Sequence, residues 1–186
     1  MPSSESPQPY GSVQTLARAG AAFVLLSVTT LILAAVCIPL LPWHATRVEL
    51  GGRYGRWIAP ILLRILGWRL DVRGREHVET DRPALYAINH SSFIDTVASM
   101  AFWPPRSVAI GKRSLLLVPG FGQAFLLMGN LLIDRSNRAR AVASMQRMTA
   151  TMQRLSLSTL MAPEGTRSTT GALGPFKKGF AHIAIA

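Results

Sequence analysis

The chain has 186 residues, enough for one domain with a buried core plus a further segment, and 20 Lys and Arg against 9 Asp and Glu give a net charge of +11. Its single cysteine, Cys37, excludes an intramolecular disulfide and a cysteine metal cluster. So basic a chain raises nucleic acid as a partner, yet it carries no motif of a nucleic-acid module, and its cations gather beside an apolar segment.

Residues 1–17 hold three prolines, four serines and one acid, and are expected to form a disordered leader. No formal charge occurs between Arg18 and Arg47, and AAFVLLSVTTLILAAVCIPLL fills most of that interval. About 20 such residues reach across a bilayer core. Residues 18–43 are therefore expected to be a transmembrane helix or, with Pro39 and Pro42 turning the chain, part of a re-entrant hairpin. A cleaved signal peptide wants a shorter apolar core and a small-x-small site; Pro39-Leu40-Leu41-Pro42-Trp43 follows instead. Arg47, Arg53 and Arg56 come next and are expected at lipid head groups on the cytoplasmic side. In residues 50–69, Arg53, Arg56, Arg64 and Gly67 recur on one helical stripe while Trp57, Ile58, Ile61, Leu62 and Ile65 cover the rest. That pattern predicts an interfacial amphipathic helix, bent at Pro60.

From residue 70 the pattern changes to short apolar runs alternating with helical periodicity. Strands are expected at 70–72, 84–88, 107–110, 131–133 and 158–161, and helices at 93–102, 122–128, 138–155 and from 178 to the end. No internal repeat is present. The alternation predicts an α/β domain with a largely parallel sheet, whose sites gather at the carboxyl ends of the strands.

The strand-like ALYAIN runs directly into His90, and Asp95 follows five residues later. Positions five apart are out of line on one helix, so the two side chains meet only if His90 is still in the turn and Asp95 is in the first helical turn. Ser92-Phe93-Ile94-Asp95 also fits a capping box, with Ser92 as cap and the Asp95 carboxylate reaching back to a backbone N–H. Read functionally, His90 is a general base, since an imidazole with pKa about 6.5 takes a proton from an alcohol at neutral pH. Asp95 then holds the other ring N–H. Ser91 is a conceivable nucleophile, but it lacks a G-x-S-x-G elbow. Both the capping and the catalytic reading stay open at this point.

Three other strand ends deliver cations. Ala162-Pro163-Glu164-Gly165-Thr166-Arg167-Ser168 suits an arginine forking onto a phosphate with turn N–H groups helping, and equally suits a turn begun by Pro163 with a solvated arginine. Gly111-Lys112-Arg113 and Ile133-Asp134-Arg135-Ser136 follow two more strands. Converging beside His90, they would make an anion pocket for a substrate bearing a phosphate and a hydroxyl.

Taken together, these residues resemble the glycerophospholipid acyltransferases typified by 1-acyl-sn-glycerol-3-phosphate acyltransferase. The N-H-x-x-x-x-D motif is Asn89 to Asp95, and the second motif fits Lys112, Pro119, Gly122, Gly129 and Arg135. P-E-G-T-R-S is intact from Pro163 to Ser168, and GPFKKG from Gly174 to Gly179 also fits. The resemblance implies an αβα acyltransferase domain over 70–186, preceded by N-terminal membrane helices. It implies acyl transfer from acyl-CoA or acyl-carrier protein to the hydroxyl of a lysophospholipid, giving phosphatidic acid. His90 and Asp95 would be catalytic; Glu164, Gly165, Thr166 and Arg167 would bind substrate with Lys112 and Arg135; no metal or cofactor is required.

Ser114 stands where the second motif often has glutamate, and Ala162 replaces the usual aromatic before P-E-G. A fourth, V-P-containing motif is expected beyond the last helix, and without it the sheet should lack a strand and expose an edge. The composition, rich in alanine and arginine, points to a bacterial source, and the arginines beside the apolar segment put the domain on the cytoplasmic side, so a bacterial inner membrane is expected. Acylation of glycerol 3-phosphate or of another lysophospholipid fits the same motifs. So does a non-catalytic module that binds anionic lipid, for which His90 would be dispensable.

Overall fold

Two long helices come first among the described residues. Ser12 caps the first by accepting the Thr15 N–H at 3.2 Å, and α1 then runs Val13–Cys37, long and apolar enough to cross a membrane. It begins inside the stretch expected as a leader. The computed structural model describes residues 12–78, 82–92, 94–134, 136–168 and 170–185, so residues 1–11 lie outside the described set. α1 buries a narrow stripe of mostly small residues, Ala22, Thr30, Ala34 and Cys37, and small residues let helices approach closely. Its partner across this contact is α2, His44–Leu66. The hydroxyls of Thr29 and Thr30 lie 2.9 and 2.7 Å from Tyr54 Oη and tie the two helices together.

α2 does not present its apolar face to lipid as the sequence pattern suggests. Ile58, Ala59, Leu62 and Leu63 are buried in one cluster with Ala22 of α1 and Val97 of α3 (Ile94–Ala101). The hydrophobic stripe is covered by two neighbouring helices, leaving Arg53, Trp57, Pro60 and Arg64 exposed. The arginines after α1 separate by environment. Arg47 is only 8% exposed and donates to the carbonyls of Leu126 at 3.2 Å, Leu127 at 2.7 Å and Leu41 at 3.4 Å. It thus caps the carboxyl end of α4, Phe121–Leu127. Arg56 is half-buried and donates to Trp103 O at 3.0 Å. Only Arg53 of the three is exposed. The broad apolar surface left uncovered belongs instead to α1, where Phe23, Val24, Val28, Ile32 and Val36 are each at least half exposed.

Among the described residues four parallel strands follow: β1 Leu85–Ala87, β2 Ser107–Lys112, β3 Leu131–Ile133 and β4 Ser158–Met161. Their order in the sheet is β1-β4-β2-β3, with Leu85 and Val108 both opposite Thr159, and Ile110 opposite Leu131. Residues 70–72, expected as a strand, are irregular; an apolar triplet becomes a strand only where a neighbour completes its ladder. β1 and β3 are the sheet edges among the described residues.

Helix α5 is Arg138–Leu155 and helix α6 is Lys178–Ala184. Asn137 caps α5 by accepting the Arg140 N–H at 2.8 Å. Met148 and Met152 of α5 pack with Val108, Ile133, Leu157 and Ile183 in the core beneath the sheet. The connections from β1 to β2 and from β2 to β3 step one way across the sheet, whereas β3 to β4 steps back. Right-handed crossovers therefore set α3 and α4 on one face and α5 on the other. α6 packs on α5. Adjacent strands β1 and β4 thus send their following helices to opposite faces, which opens a crevice at their carboxyl ends.

Candidate active site

The segment leaving β1 enters this crevice. Ser92 Oγ accepts the Ile94 N–H at 3.2 Å, and Asp95 Oδ2 accepts the N–H of Ser92 at 2.8 Å and of Ser91 at 2.7 Å. These are the bonds of a capping box, widened by one donor. The same Asp95 oxygen lies 3.1 Å from Nδ1 of His90, so the cap and the His–Asp pair exist together. Nδ1 faces the carboxylate, which leaves Nε2 as the ring nitrogen for a substrate proton. The His90 side chain is 28% exposed, open enough for access. Partial burial pushes the Asp95 carboxyl up, but the N–H groups of Ser92 and Ser91, with His90, outweigh it and hold it below the usual carboxylate range.

The end of β4 supplies the facing wall. Gly165, at φ 72°, closes a turn in which its N–H donates to Ala162 O at 3.1 Å. Glu164 is 4% exposed, and its carboxylate points into the protein. Oε2 accepts the Gly174 N–H at 2.8 Å, and Oε1 accepts the His90 N–H at 3.4 Å. Ser168 N–H donates to His90 O at 2.7 Å, and Lys177 N–H donates to Pro163 O at 2.8 Å. The β4 turn therefore holds the His90 backbone through both its N–H and its carbonyl. The resemblance implies Glu164 at the substrate; its bridge to His90 joins positions 74 apart and leaves no local mark of its partner in the sequence. The available signal was an acid wedged between Pro163 and Gly165 at the end of a strand with no charged residue of its own.

Thr166 and Arg167 are exposed at the tip of the same turn. Lys112, the exposed last residue of β2, pairs with Ile133 in the strand beyond. β4 thus carries its cation beside β1, β2 carries one a strand further, and β3 lies at the far edge. Arg135, which follows β3, lies outside the described residues. The adjoining Asp134 accepts from Arg113 at 3.0 Å and from the Ser136 N–H at 2.9 Å.

Beneath the crevice an apolar cavity of about 220 Å³ reaches from Pro163, Gly165 and Lys177 to Ile110, Met145 and Phe180. A larger cleft of about 590 Å³ lies between Leu70, Arg75, Trp103 and Pro105, toward the amino end of β2 and away from His90.

The model of the family described as Acyltransferase matches residues 69–186. A 1-acyl-sn-glycerol-3-phosphate acyltransferase of Cocos nucifera is 37% identical over 173 residues, covering 93% of this chain and 56% of the relative. The proteins of that name from Salmonella typhimurium and Escherichia coli K12 are 40% and 39% identical over 136 residues, covering 73% of this chain and 54% of each relative. The chain thus spans about half the length of these curated relatives. The fold is that of the 1-acyl-sn-glycerophosphate (LPA) acyltransferase PlsC from Thermotoga maritima, with TM-score 0.71 and 17% identity over 93% of this chain and 70% of that one. The chain belongs to the acyltransferase family.

Proposed function

We propose that this chain transfers an acyl group from acyl-CoA or acyl-carrier protein to the free hydroxyl of lysophosphatidic acid, giving phosphatidic acid. The observation that supports this most directly is the 3.1 Å contact between His90 Nδ1 and Asp95, formed where the β4 turn presents Arg167. Nε2 of His90 takes the proton of the acceptor hydroxyl as its oxygen attacks the thioester carbonyl. A tetrahedral oxyanion forms, collapses, and expels the thiolate, which receives the proton back from His90. Asp95 fixes the ring tautomer and stabilises the imidazolium between these steps. Arg167, Lys112 and Arg135 receive the phosphate; Gly165 and Thr166 shape the turn around it. The cavity behind Pro163 and Gly165 takes acyl chain. Both carbonyl and hydroxyl react without a metal or cofactor, the thioester being a co-substrate.

The exposed apolar face of α1 meets the leaflet in which the lysophospholipid resides. α4 packs along α1, so part of the helix is covered by the α/β domain, and this favours a hairpin entering one leaflet over a full span. On this reading the domain faces the cytoplasm at a bacterial inner membrane, where acyl thioesters are made.

The decisive assay is thiol release from acyl-CoA with lysophosphatidate in lipid vesicles, comparing wild type with His90→Ala. Acceptor-dependent release that the substitution abolishes supports the scheme. Release that survives it sinks the general-base role, and absence of release from the wild type sinks the acyl-transfer reading.

A further inference from the structure

The segment between β2 and α4 is not used by the mechanism above, and it is unusually apolar for a surface turn. Arg113–Leu117 forms a 3-10 helix that runs through Val118 to Gly120 and into α4. Along it Leu117 is 82% exposed, Val118 48% and Phe121 42%. Large apolar side chains left in water at one turn are costly, and Leu117 most of all. The patch is not isolated. A side chain at Gly120 would sit 3.6 Å from Leu31, and Leu31 is itself exposed on α1. The apolar turn and the membrane-suited helix therefore join at Leu31 into one surface.

We propose that the Leu117–Phe121 turn is a second membrane-entering element, inserting beside α1 into an anionic lipid leaflet. This rests on the reading of α1 as the lipid-facing helix. Arg113 is exposed immediately before the turn, its guanidinium paired with Asp134 on one side and open to solvent on the other, where it meets anionic head groups as the apolar tip goes deeper. The net charge of +11 favours the same partner. The turn follows the carboxyl end of β2, the end of the parallel sheet from which His90 and Glu164 also emerge. α1 alone leaves the domain free to swing about one line of contact. A second point of entry at the catalytic end orients the crevice toward the leaflet, so that the acceptor reaches it without leaving the lipid.

The test uses an environment-sensitive fluorophore on a single introduced cysteine in a Cys37→Ala background, with the full chain and vesicles of phosphatidylglycerol and phosphatidylethanolamine. Three sites are compared: Leu117→Cys in the turn, Val28→Cys on α1 and Gln146→Cys on the exposed face of α5. The expected result is a blue shift and protection from aqueous iodide at 117 and 28, with no change at 146. In addition, Leu117→Ser weakens vesicle partition roughly tenfold. A water-like signal at 117 with a shift at 28 overturns the proposal and leaves the α1 reading intact. Water-like signals at both overturn both. A shift at 117 that appears without vesicles and grows with protein concentration assigns the surface to a second copy of the chain, and also overturns the proposal.

Discussion

The Asp95 oxygen that lies 3.1 Å from His90 Nδ1 is also the acceptor for the N–H groups of Ser91 and Ser92. One atom therefore stabilises a helix start and orients the imidazole that we propose as the base. Asp95→Asn keeps an acceptor for the backbone while removing the charge that supports an imidazolium. Thiol release should fall roughly 10²- to 10⁴-fold, whereas unfolding stability should fall by no more than about 1 kcal/mol. Asp95→Ala should lose both. Kinetics and denaturation on the same three proteins check this, and an asparagine variant that is badly destabilised but fully active would reverse the assignment.

The direction of the Asp95 shift sets a pH dependence. Its folded-state carboxyl is held below the ordinary range, so between the two values the unfolded chain binds more protons. The carboxylate's contribution is complete above about pH 4 and is lost as pH falls through the lower folded value. Denaturant midpoints of wild type and Asp95→Asn, followed from neutral pH into acid, should converge at the acid end. A gap that widens on acidification contradicts the hydrogen-bonding pattern.

Glu164 offers a different separation. Its two oxygens accept backbone N–H groups from Gly174 and His90, and a side chain at Gly174 would come within 3.1 Å of the carboxylate. Glu164→Gln turns one acceptor into a donor facing an N–H in a buried place. We expect a loss of about 1–3 kcal/mol in stability. We also expect lower kcat with little change in KM for the lysolipid, as befits a residue that positions His90. A rise in KM alone would return Glu164 to the substrate site.

How far residues could be read in advance follows the range of the interactions that decide them. The 131–133, 138–155 and 158–161 elements match their predicted bounds, since each has its own apolar period and α5 has a cap, Asn137, in the adjoining sequence. The capping box is equally local, and so is the meeting of His90 with Asp95 across the turn. Residues 70–72 had the right composition and no neighbouring strand. Arg47 looked like a head-group cation because its acceptors, Leu126 and Leu127, are about 80 positions away. Glu164 escaped for the same reason. Two motif glycines receive a packing explanation rather than a chemical one: a side chain at Gly122 would meet Leu116 Cα at 2.6 Å, and one at Gly129 would meet Val48 at 2.7 Å.

Arg167 lies exposed at the tip of the turn that Glu164 anchors. A role in phosphate recognition predicts that Arg167→Ala raises KM for lysophosphatidate roughly 10- to 100-fold, the equivalent of a charge-assisted hydrogen bond of about 1.5–3 kcal/mol. Stability should change by less than about 0.5 kcal/mol, since the side chain is on the surface. The discriminating substrate is a monoacylglycerol, which has the hydroxyl and no phosphate. Its slow turnover should be indifferent to the substitution; an equal loss with both acceptors would remove Arg167 from the phosphate site.

Arg47 joins the helical hairpin to α4 through the carbonyls of Leu126 and Leu127 at 3.2 and 2.7 Å, and also donates to Leu41 O within the hairpin at 3.4 Å. Arg47→Met keeps the apolar stem but leaves these buried acceptors without a donor. Chemical denaturation in detergent micelles should show a loss of about 1–3 kcal/mol. Arg53→Met removes an exposed cation whose carboxylate partner, Glu49, is 3.0 Å away in the preceding helical turn, and should cost no more than about 0.5 kcal/mol. Binding to anionic vesicles should respond in the opposite order: Arg53→Met weakens it and Arg47→Met, under folded conditions, does not, because a guanidinium enclosed by α2 and α4 is unavailable to a head group. Vesicle binding that depends on Arg47 in a protein of unchanged stability would put that side chain back at the membrane surface.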